Sequence, residues 1–410
     1  MPTASHLKRV LPILVLAGMT LVANTRSASA QQAMNTHPGV SSGNNQFAFD
    51  LFKNVASTQK DANIFFSPLS ISTALVMAYA GSQGETQEQM AQVLHFQASQ
   101  EEVANGFHSL TTSLSQPAKA AYQLRVANAL WAQKGAHFQP DYISLMDKYY
   151  SGDFKTLNFA ETEESRAAIN HWVADKTAGK IPQLLQPGDI NALTRLVLTN
   201  AVYFKGDWTT PFDQSYTQPA PFAAGTGTKK QVPMMHQTGY LGYAQVGDLQ
   251  ALELPYRGDQ LSMLILLPRA DAPDPWADFT WEKLQPVRAQ MHGTRVEVFL
   301  PRFKVEERLS LGQTLSGMGM RDAFERGAAD FSGITGRKEW SISAVVHQAV
   351  IEVNEKGTEA AAATGVVATL AAMRPSGPAV FRADHPFLYM IIHKPSDSIL
   401  FMGLLSDPPH

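Results

Sequence analysis

A long uncharged segment near the C-terminus most constrains how this chain can fold. Thirteen consecutive residues, Ala360–Ala372, carry no charge and consist mainly of alanine, valine and threonine. Exposed loops are normally polar, whereas core elements normally carry larger side chains. The segment must therefore suit a position in solvent and also a narrow buried position.

The location and period of this segment indicate a strand that is not yet part of a sheet. It lies between a predicted strand, residues 343–353, and the apolar strands that begin after Pro386. Loops of about thirty residues in compact domains are usually functional or disordered, and the low charge favours function. At the two-residue period of a strand, one face would carry Thr358, Ala360, Ala362, Thr364, Val366, Ala368 and Leu370. Such small side chains can enter a packed sheet without strain.

The rest of the chain predicts a single large α+β unit. Residues 67–81 read as a helix, because Ser67 can cap it, Pro68 suits its first turn and Gly81 can end it. Alternating apolar and polar residues predict several strands, and early helices with later strands favour α+β. The strand segments are 121–133, 195–208 and a pair within 295–307.

The N-terminus has the pattern of a secretory signal peptide. Lys8 and Arg9 precede a short apolar stretch, residues 10–23, and a small-residue motif ends at Ala30. Fourteen residues are too few for a membrane span, which needs about 20. We therefore expect a signal peptide over 1–30, cleavage after Ala30, a flexible segment over 31–45, and a secreted or periplasmic protein without a membrane anchor.

Charge and cysteine content exclude several classes of protein. The net charge of −3 becomes −6 after loss of Lys8, Arg9 and Arg26, since residues 1–30 contain no acid. That balance gives no support to nucleic-acid binding. The chain has no cysteine, so its stability must come from packing, without disulfides or a thiol nucleophile.

No enzyme motif of the common hydrolase, metalloprotease or nucleotide-binding classes occurs in the chain. The twelve histidines show no paired metal-ligand spacing. His347 lies inside a predicted strand, where a lone histidine is more often a hydrogen-bonded core residue than a catalyst. We therefore expect neither catalysis nor a cofactor.

Six motifs, in order and with suitable spacing, resemble those of the serpin family. They cover the chain from about Phe47 to the C-terminus. The matching stretches are NEKGTEAAAATG at 354–365, NIFFSPLSISTALVMAYAGSQGET at 63–86, LVLTNAVYFKGDWTTPF at 196–212, ADFSGIT at 329–335, HPFLYMIIH at 385–393 and ILFMGLLSDP at 399–408. The chain is therefore similar to serpins, and we take it as a secreted, prokaryotic-type member.

The resemblance implies a fold and a mechanism. The expected fold is α+β, with three β-sheets, eight or nine helices and an exposed reactive-centre loop at about 355–382 of a domain at 46–410. A serine protease, with cysteine proteases as a further target class, would cleave this loop and form an acyl-enzyme. The loop would then insert into the central sheet and carry the covalently bound protease roughly 45 Å, if about fourteen residues insert. The free inhibitor would be metastable and monomeric, with loop–sheet polymerisation as a hazard.

The resemblance also implies roles for particular residues. The sheet-opening cluster would be Ser67, Ser70, Asn200 and His347. Trp208, Arg302 and Glu355 would lie where the loop enters the sheet, with Arg302 as the candidate basic partner of Glu355. The hinge would comprise Glu355, Gly357, Thr358, Glu359, Ala360, Ala361, Ala362 and Ala363.

The reactive site is expected at Ala371–Ala372, with Leu370 and Met373 as alternatives. These small or apolar residues favour elastase-, subtilisin- or chymotrypsin-like targets. Pro375 follows Arg374, so trypsin should cleave poorly there. The alternative is a non-inhibitory serpin that acts as a binding or chaperone protein. The hinge of such relatives is usually spoiled by an additional charge or by proline, and this hinge is intact.

Overall fold

Nine α-helices occur in the part of the chain that the computed structural model describes, which comprises residues 38–114, 122–150, 152–272, 274–358 and 377–409. They are α1 Pro38–Thr58, α2 Pro68–Tyr79, α3 Gly84–Val93, α4 Gln100–Leu114, α5 Pro140–Tyr149, α6 Thr162–Lys176, α7 Trp281–Ala289, α8 Gly312–Met318 and α9 Ser332–Thr335. Two short 3-10 helices cover Gln214–Tyr216 and Asp322–Phe324.

Fifteen strands complete the described elements. They are β1 Ile64–Phe66, β2 Tyr122–Gln133, β3 Phe154–Leu157, β4 Leu196–Asp207, β5 Gln218–Ala223, β6 Lys229–Val246, β7 Leu249–Pro255, β8 Leu261–Leu267, β9 His292–Pro301, β10 Phe303–Ser310, β11 Ile342–Asn354, β12 Gly357–Thr358, β13 Ala379–Arg382, β14 Phe387–His393 and β15 Ser398–Leu405.

The expected α+β fold is confirmed, with a difference in how its sheets connect. The central sheet has six strands in the order β10-β11-β12-β4-β2-β3. The other nine strands form one hydrogen-bonded network, because the 18-residue β6 runs through two sheet regions. Its first part, up to Met234, pairs with β5, its middle part pairs with β9 from Met234 to Tyr243, and its last part, from Gly242, pairs with β7. The expected second and third sheets are therefore joined along one strand.

Helix α2 fixes the centre of the molecule beneath the six-stranded sheet. All twelve of its residues are buried. It begins where the sequence predicts, because the Ser67 side chain accepts a hydrogen bond from the backbone N–H of Ser70 and Pro68 occupies the first turn. The opposite face of the sheet is covered by α6, whose Ile169 and Val173 belong to a second buried apolar cluster together with outward-facing residues of β2, β4 and β11.

The expected flexible segment at 31–45 is wrong for residues 38–45, which form the first two turns of α1. Asn44 and Asn45 look like loop residues in the sequence, yet they are buried. Asn44 Nδ2 donates to the carbonyl of Ile399 at 3.1 Å, and Asn45 Oδ1 accepts from the Ile399 N–H at 2.8 Å. Their amides therefore dock α1 onto β15, a long-range partnership that local sequence patterns do not show.

Other elements agree with the sequence. Residues 257–260 form the turn of a hairpin between β7 and β8, which pair antiparallel. The strand pair expected within 295–307 is β9 and β10, which meet at Pro301. None of the helices described here is both long and apolar enough to cross a bilayer.

Candidate functional site

The central sheet changes its pairing pattern at one end, where β12 separates β4 from β11. Over most of their length β4 and β11 pair directly and in parallel, from Ile342 opposite Leu196 to Val350 opposite Tyr203. Beyond that point β12 lies between them and pairs antiparallel to both strands. The sheet is thus already parted where the uncharged segment begins.

A tight turn brings the chain from β11 back into this gap, and glycine is required in it. The Lys356 carbonyl accepts a hydrogen bond from the Trp208 N–H at 2.9 Å. Gly357 has a φ of +145°, and a Cβ at this position would lie 2.1 Å from the carbonyl oxygen of Gly206. Any side chain at residue 357 would therefore collide with the backbone of β4.

Thr358 is the residue that enters the sheet most deeply, and its side chain points into the core. It is fully buried, and its hydroxyl lies 2.9 Å from the Tyr256 hydroxyl. Burial raises the pKa of Tyr256, so the phenol stays protonated. The Tyr256 ring stacks on Trp208 with centroids 4.5 Å apart, and Trp208 Nε1 donates to the Asn354 carbonyl at 3.0 Å.

Glu355 lies beside this entry point with two polar partners. Arg302 is the basic partner that the sequence predicts for Glu355, and its Nη1 lies 3.7 Å from Glu355 Oε2. Thr217 Oγ1 donates to Glu355 Oε1 at 2.8 Å. The Glu355 side chain is only 9% exposed and that of Arg302 is 41% exposed. The buried carboxylate is thus compensated by a hydroxyl and a half-exposed cation.

The four residues of the sheet-opening cluster lie together beneath the centre of the sheet, with Asn128 as a fifth member. His347 Nε2 accepts the backbone N–H of Ser67 at 3.1 Å, and His347 Nδ1 donates to Asn200 Oδ1. Asn200 Nδ2 donates to Asn128 Oδ1 at 2.6 Å. Ser70 Oγ donates to the same oxygen at 2.7 Å. The cluster joins α2 to three neighbouring strands.

This cluster crosses the line along which β4 and β11 meet. Asn128, Asn200 and His347 are direct register partners on β2, β4 and β11. Complete burial lowers the pKa of His347 to about 3, so the ring is neutral near pH 7. A neutral imidazole matches the geometry, since one nitrogen accepts and the other donates. Separation of β4 from β11 would break the bond between His347 and Asn200.

Sequence reasoning missed three residues of these sites. Asn128 gives a recognisable signal, since asparagine is unfavourable in a strand and interrupts an apolar run in β2. Tyr256 and Thr217 give no such signal, because their roles depend on long-range contacts with Thr358 and Glu355. Several expected positions lie outside the described residues, namely Glu359, Ala360, Ala361, Ala362, Ala363, Leu370, Ala371, Ala372 and Met373.

The described residues contain no group of three or more histidine, cysteine, aspartate or glutamate side chains arranged to hold a metal ion. The polar clusters reported above instead connect elements of the fold. What distinguishes the central sheet is therefore an interrupted strand pairing, with a small-residue segment directly following the interruption.

A central sheet whose strands are already separated by the start of a long loop is typical of proteins in which that loop can join the sheet. Comparison with known sequences gives the family. The family model for serpins, described as serine protease inhibitors, matches residues 42–408. The chain belongs to the serpin family. It is 42% identical over 383 residues to a leukocyte elastase inhibitor of Bos taurus, covering 90% of this chain and 99% of that protein. It is 40% identical over 378 residues to the Xenopus laevis leukocyte elastase inhibitor, with the same coverage.

Relatives also occur outside animals, and solved structures share the fold. An uncharacterized serpin-like protein of Thermococcus kodakarensis is 41% identical over 367 residues, covering 89% of this chain and 84% of that protein. Uncleaved ovalbumin superposes with a TM-score of 0.81 at 31% identity, covering 90% of this chain and all of the ovalbumin chain. A tumour-suppressing serpin also gives a TM-score of 0.81, at 28% identity, covering 91% of this chain and all of its own.

Proposed function

We propose that this protein is a suicide-substrate inhibitor of serine proteases, with cysteine proteases as a further target class. The protease nucleophile attacks the scissile carbonyl, the new amino terminus leaves, and an acyl-enzyme remains on the loop. The freed loop inserts between β4 and β11 and moves the attached protease. Displacement distorts the protease active site before water can cleave the ester or thioester bond.

The observation that supports this proposal most strongly is the pairing of β12 with both β4 and β11. Strand β12 already lies antiparallel to β4 and β11, in the position that a longer inserted strand would extend. Thr358 is opposite Gly206 and Val353. If the same antiparallel register continues for six residues, Thr364 falls opposite Asn200 on β4 and His347 on β11.

In this register, insertion replaces the polar contacts that it breaks. Insertion breaks the direct contact between Asn200 and His347, which are register partners. It places the hydroxyl of Thr364 between them, where it can donate to one and accept from the other. Insertion also replaces one parallel pairing with two antiparallel pairings, which are somewhat more stable per residue. The inward side chains of the segment are small, so the new strand adds little volume to the core.

The same register limits where the protease must cut. Ten residues beyond Thr358, Ala368 would lie opposite Leu196, where β4 begins. A cut C-terminal to residue 368 would therefore release enough chain to fill the sheet. The proposed bond at Ala371–Ala372, and its alternatives at Leu370 and Met373, satisfy this requirement.

The proposed targets are elastase-, subtilisin- or chymotrypsin-like, because the candidate residues are small or apolar. The relatives from cattle and frog are named leukocyte elastase inhibitors, which supports the elastase class. Mass spectrometry of the fragment released from an elastase complex should locate the bond within residues 370–373. A cut after Arg374 would contradict this assignment.

The alternative is a non-inhibitory serpin with a binding or chaperone role. Incubation with a panel of serine proteases, followed by denaturing electrophoresis, separates the two functions. The inhibitor should give a covalent band with the summed mass of protease and cleaved chain. Loop cleavage without such a band for every protease tested would contradict inhibition.

We further propose that the protein is exported after signal-peptide cleavage near Ala30 and acts as a monomer. The basic, apolar and small-residue regions of residues 1–30 support export. The opening between β4 and β11 that admits the protein's own loop would also admit the loop of a second molecule. Loop–sheet polymers should therefore form on mild heating.

A further inference from the structure

A second feature of the molecule is an exposed aromatic and basic surface formed by β6, β9, β13 and the 3-10 helix Gln214–Tyr216. Five large apolar side chains are exposed in the described part of the chain, and three of them belong to this surface: Tyr216 at 61%, Tyr240 at 69% and Val380 at 47%. The other two, Val126 and Leu193, lie elsewhere. We call the surface the aromatic face and define it by Tyr216, His236, Tyr240, Phe299, Val380 and Arg382.

Strand register explains why these side chains share one face. His236 lies opposite Phe299, and Tyr240 lies opposite Arg295, so all four project from the same side of β6 and β9. On the next strand, Arg382 lies opposite Phe299. Alternation along β13 therefore places Val380 on this side as well.

Ring stacking holds the centre of the aromatic face in a fixed geometry. The Arg382 guanidinium carbon lies 3.5 Å from the Phe299 ring centroid. On the neighbouring strand the His236 ring stacks against Phe299 with centroids 4.6 Å apart and planes at 15°. Tyr216 contacts His236 edge-on at 6.3 Å. Side chains that are already ordered lose little conformational entropy when a partner binds.

The charge of the face indicates the chemistry of a partner. Glu297 Oε1 lies 3.1 Å from His236 Nε2, so this carboxylate is already engaged. Arg295 and Arg382 are exposed and form no ion pair within the described residues. Tyrosine and arginine are enriched at the energetic centres of protein interfaces. The face therefore suits a protein surface that presents carboxylates beside apolar groups.

The position of β13 identifies which protein can occupy the face. Ala379 follows the proposed scissile residue Ala371 by eight positions, which span at most about 28 Å. A protease of about 240 residues has a radius of gyration near 18 Å and hence a diameter of roughly 45 Å. A protease bound at the loop can thus reach the face. A standard interface also needs about 20–30 residues per side, more than an extended loop supplies within a cleft.

We propose that the aromatic face is a secondary docking surface for the target protease, and that it contacts an acidic and apolar patch beside the protease active site. This inference rests on the proposed inhibitory function. The face would act on encounter and initial docking, before the loop is cleaved. It should therefore control the association rate. It should leave unchanged the stoichiometry of inhibition, which reports how often a cleaved inhibitor traps the protease and how often the protease is released.

The test uses the full chain with Tyr240→Ala, Arg382→Glu and their combination. Leu193→Ala and Arg321→Glu serve as matched controls, since each alters an exposed residue outside the face. Association rate constants and inhibition stoichiometries are measured with elastase-, subtilisin- and chymotrypsin-like proteases. Dissociation constants are measured with the same proteases after their nucleophilic serine is replaced by alanine.

For at least one protease, the double variant should associate at least about tenfold more slowly and bind the inactive protease correspondingly more weakly. Its stoichiometry should match wild type, the controls should stay within twofold, and Arg382→Glu should reduce the dependence of the rate on salt. Rates within twofold for every protease would overturn the proposal. A changed stoichiometry, or self-association of wild type that the variants abolish, would also overturn it.

This design separates the face from the proposed function. If wild type forms no covalent complex with any protease, inhibition fails as a function. Binding to the inactive proteases still reports on the face in that case. Loss of that binding in the double variant would support docking, whereas binding equal to wild type would refute it.

Discussion

At the scale of single residues, Thr358 is the position where loop and sheet first meet. Its buried hydroxyl contacts Tyr256, so an arginine here must either place an uncompensated charge in the core or leave the sheet. We expect Thr358→Arg to slow insertion while cleavage proceeds, because the proposed scissile bond is about thirteen residues away. The variant should behave as a substrate, and titration against elastase should consume many moles of inhibitor per mole of protease inactivated.

Glu359→Arg is the matched control for this change. If the inserted chain is extended, alternation would place residue 359 on the face opposite to Thr358. An arginine at residue 359 should therefore raise the stoichiometry far less. Equal failure of both variants, or wild-type inhibition by Thr358→Arg, would show that the assignment of faces is wrong.

His347 should make the stability of the free inhibitor depend on pH. Its pKa is about 3 in the folded protein because of burial, whereas that of an exposed histidine is 6.5. Between these values the unfolded chain binds a proton that the native state does not. The native state therefore loses about 1.4 kcal/mol per pH unit from this residue as the pH falls below 6.5.

The measurement is the urea midpoint of unfolding at pH 7 and pH 5 for wild type and His347→Gln. Wild type should lose more stability than the variant over this interval. Burial also lowers the pKa of His393, to about 4, so the variant should keep part of the pH dependence. Identical losses in the two proteins would mean that His347 does not titrate as proposed.

At the scale of elements, the sequence predicts most strands and helices but not their long-range partners. The limits of α2 follow from Ser67 and Pro68, since caps act within one helical turn. The two-residue strand β12 has no signal of its own, because its pairing depends on Gly206 and Asp207, far away in the chain. Asn44 and Asn45 look like loop residues for the same reason. Their burial depends on β15.

The candidate sites likewise contain some residues that the sequence predicts and others that only long-range contacts reveal. The small-residue period of the uncharged segment is a local pattern, so its capacity to form a strand can be predicted. The resemblance to serpins brings Ser67, Ser70, Asn200 and His347 together, whereas Asn128 and Tyr256 require the sheet register and the tertiary contacts.

An inserted strand should stabilise the sheet strongly. A single cut within residues 370–373 frees the segment to fill the space between β4 and β11. The new strand adds ladder hydrogen bonds and buried contacts along both neighbours. The melting temperature of the cut protein should exceed that of the intact protein by tens of degrees. Calorimetry of both forms, after mass spectrometry confirms one cut, would measure this; unchanged melting would show that the loop does not insert.

At the scale of the whole molecule, insertion requires two parts of the sheet to separate. Helix α6 lies over the outer face, where Ile169 and Val173 belong to one buried apolar cluster with residues of both β4 and β11. The sheet-opening cluster joins the same two strands from below, through Asn200 and His347. Both sets of contacts must rearrange when the strands part. In the proposed mechanism, they would contribute to the barrier that keeps the intact protein in a metastable state until the loop is cut.

A reversible cross-link between β4 and β11 tests this account most directly. Val202 and Ala349 are register partners in these strands, so cysteines at both positions would lie at a separation suited to a disulfide. The chain has no cysteine of its own. Val305→Cys with Ile351→Cys is the matched control, because it joins β10 to β11, which need not separate.

The measurement is formation of the covalent complex with an elastase-like protease, before and after reduction. Oxidised Val202→Cys/Ala349→Cys should be cleaved in its loop but release active protease, and reduction should restore the covalent complex. The control should inhibit in both redox states. Equal inhibition by the oxidised and reduced forms of the β4–β11 variant would contradict insertion between these two strands.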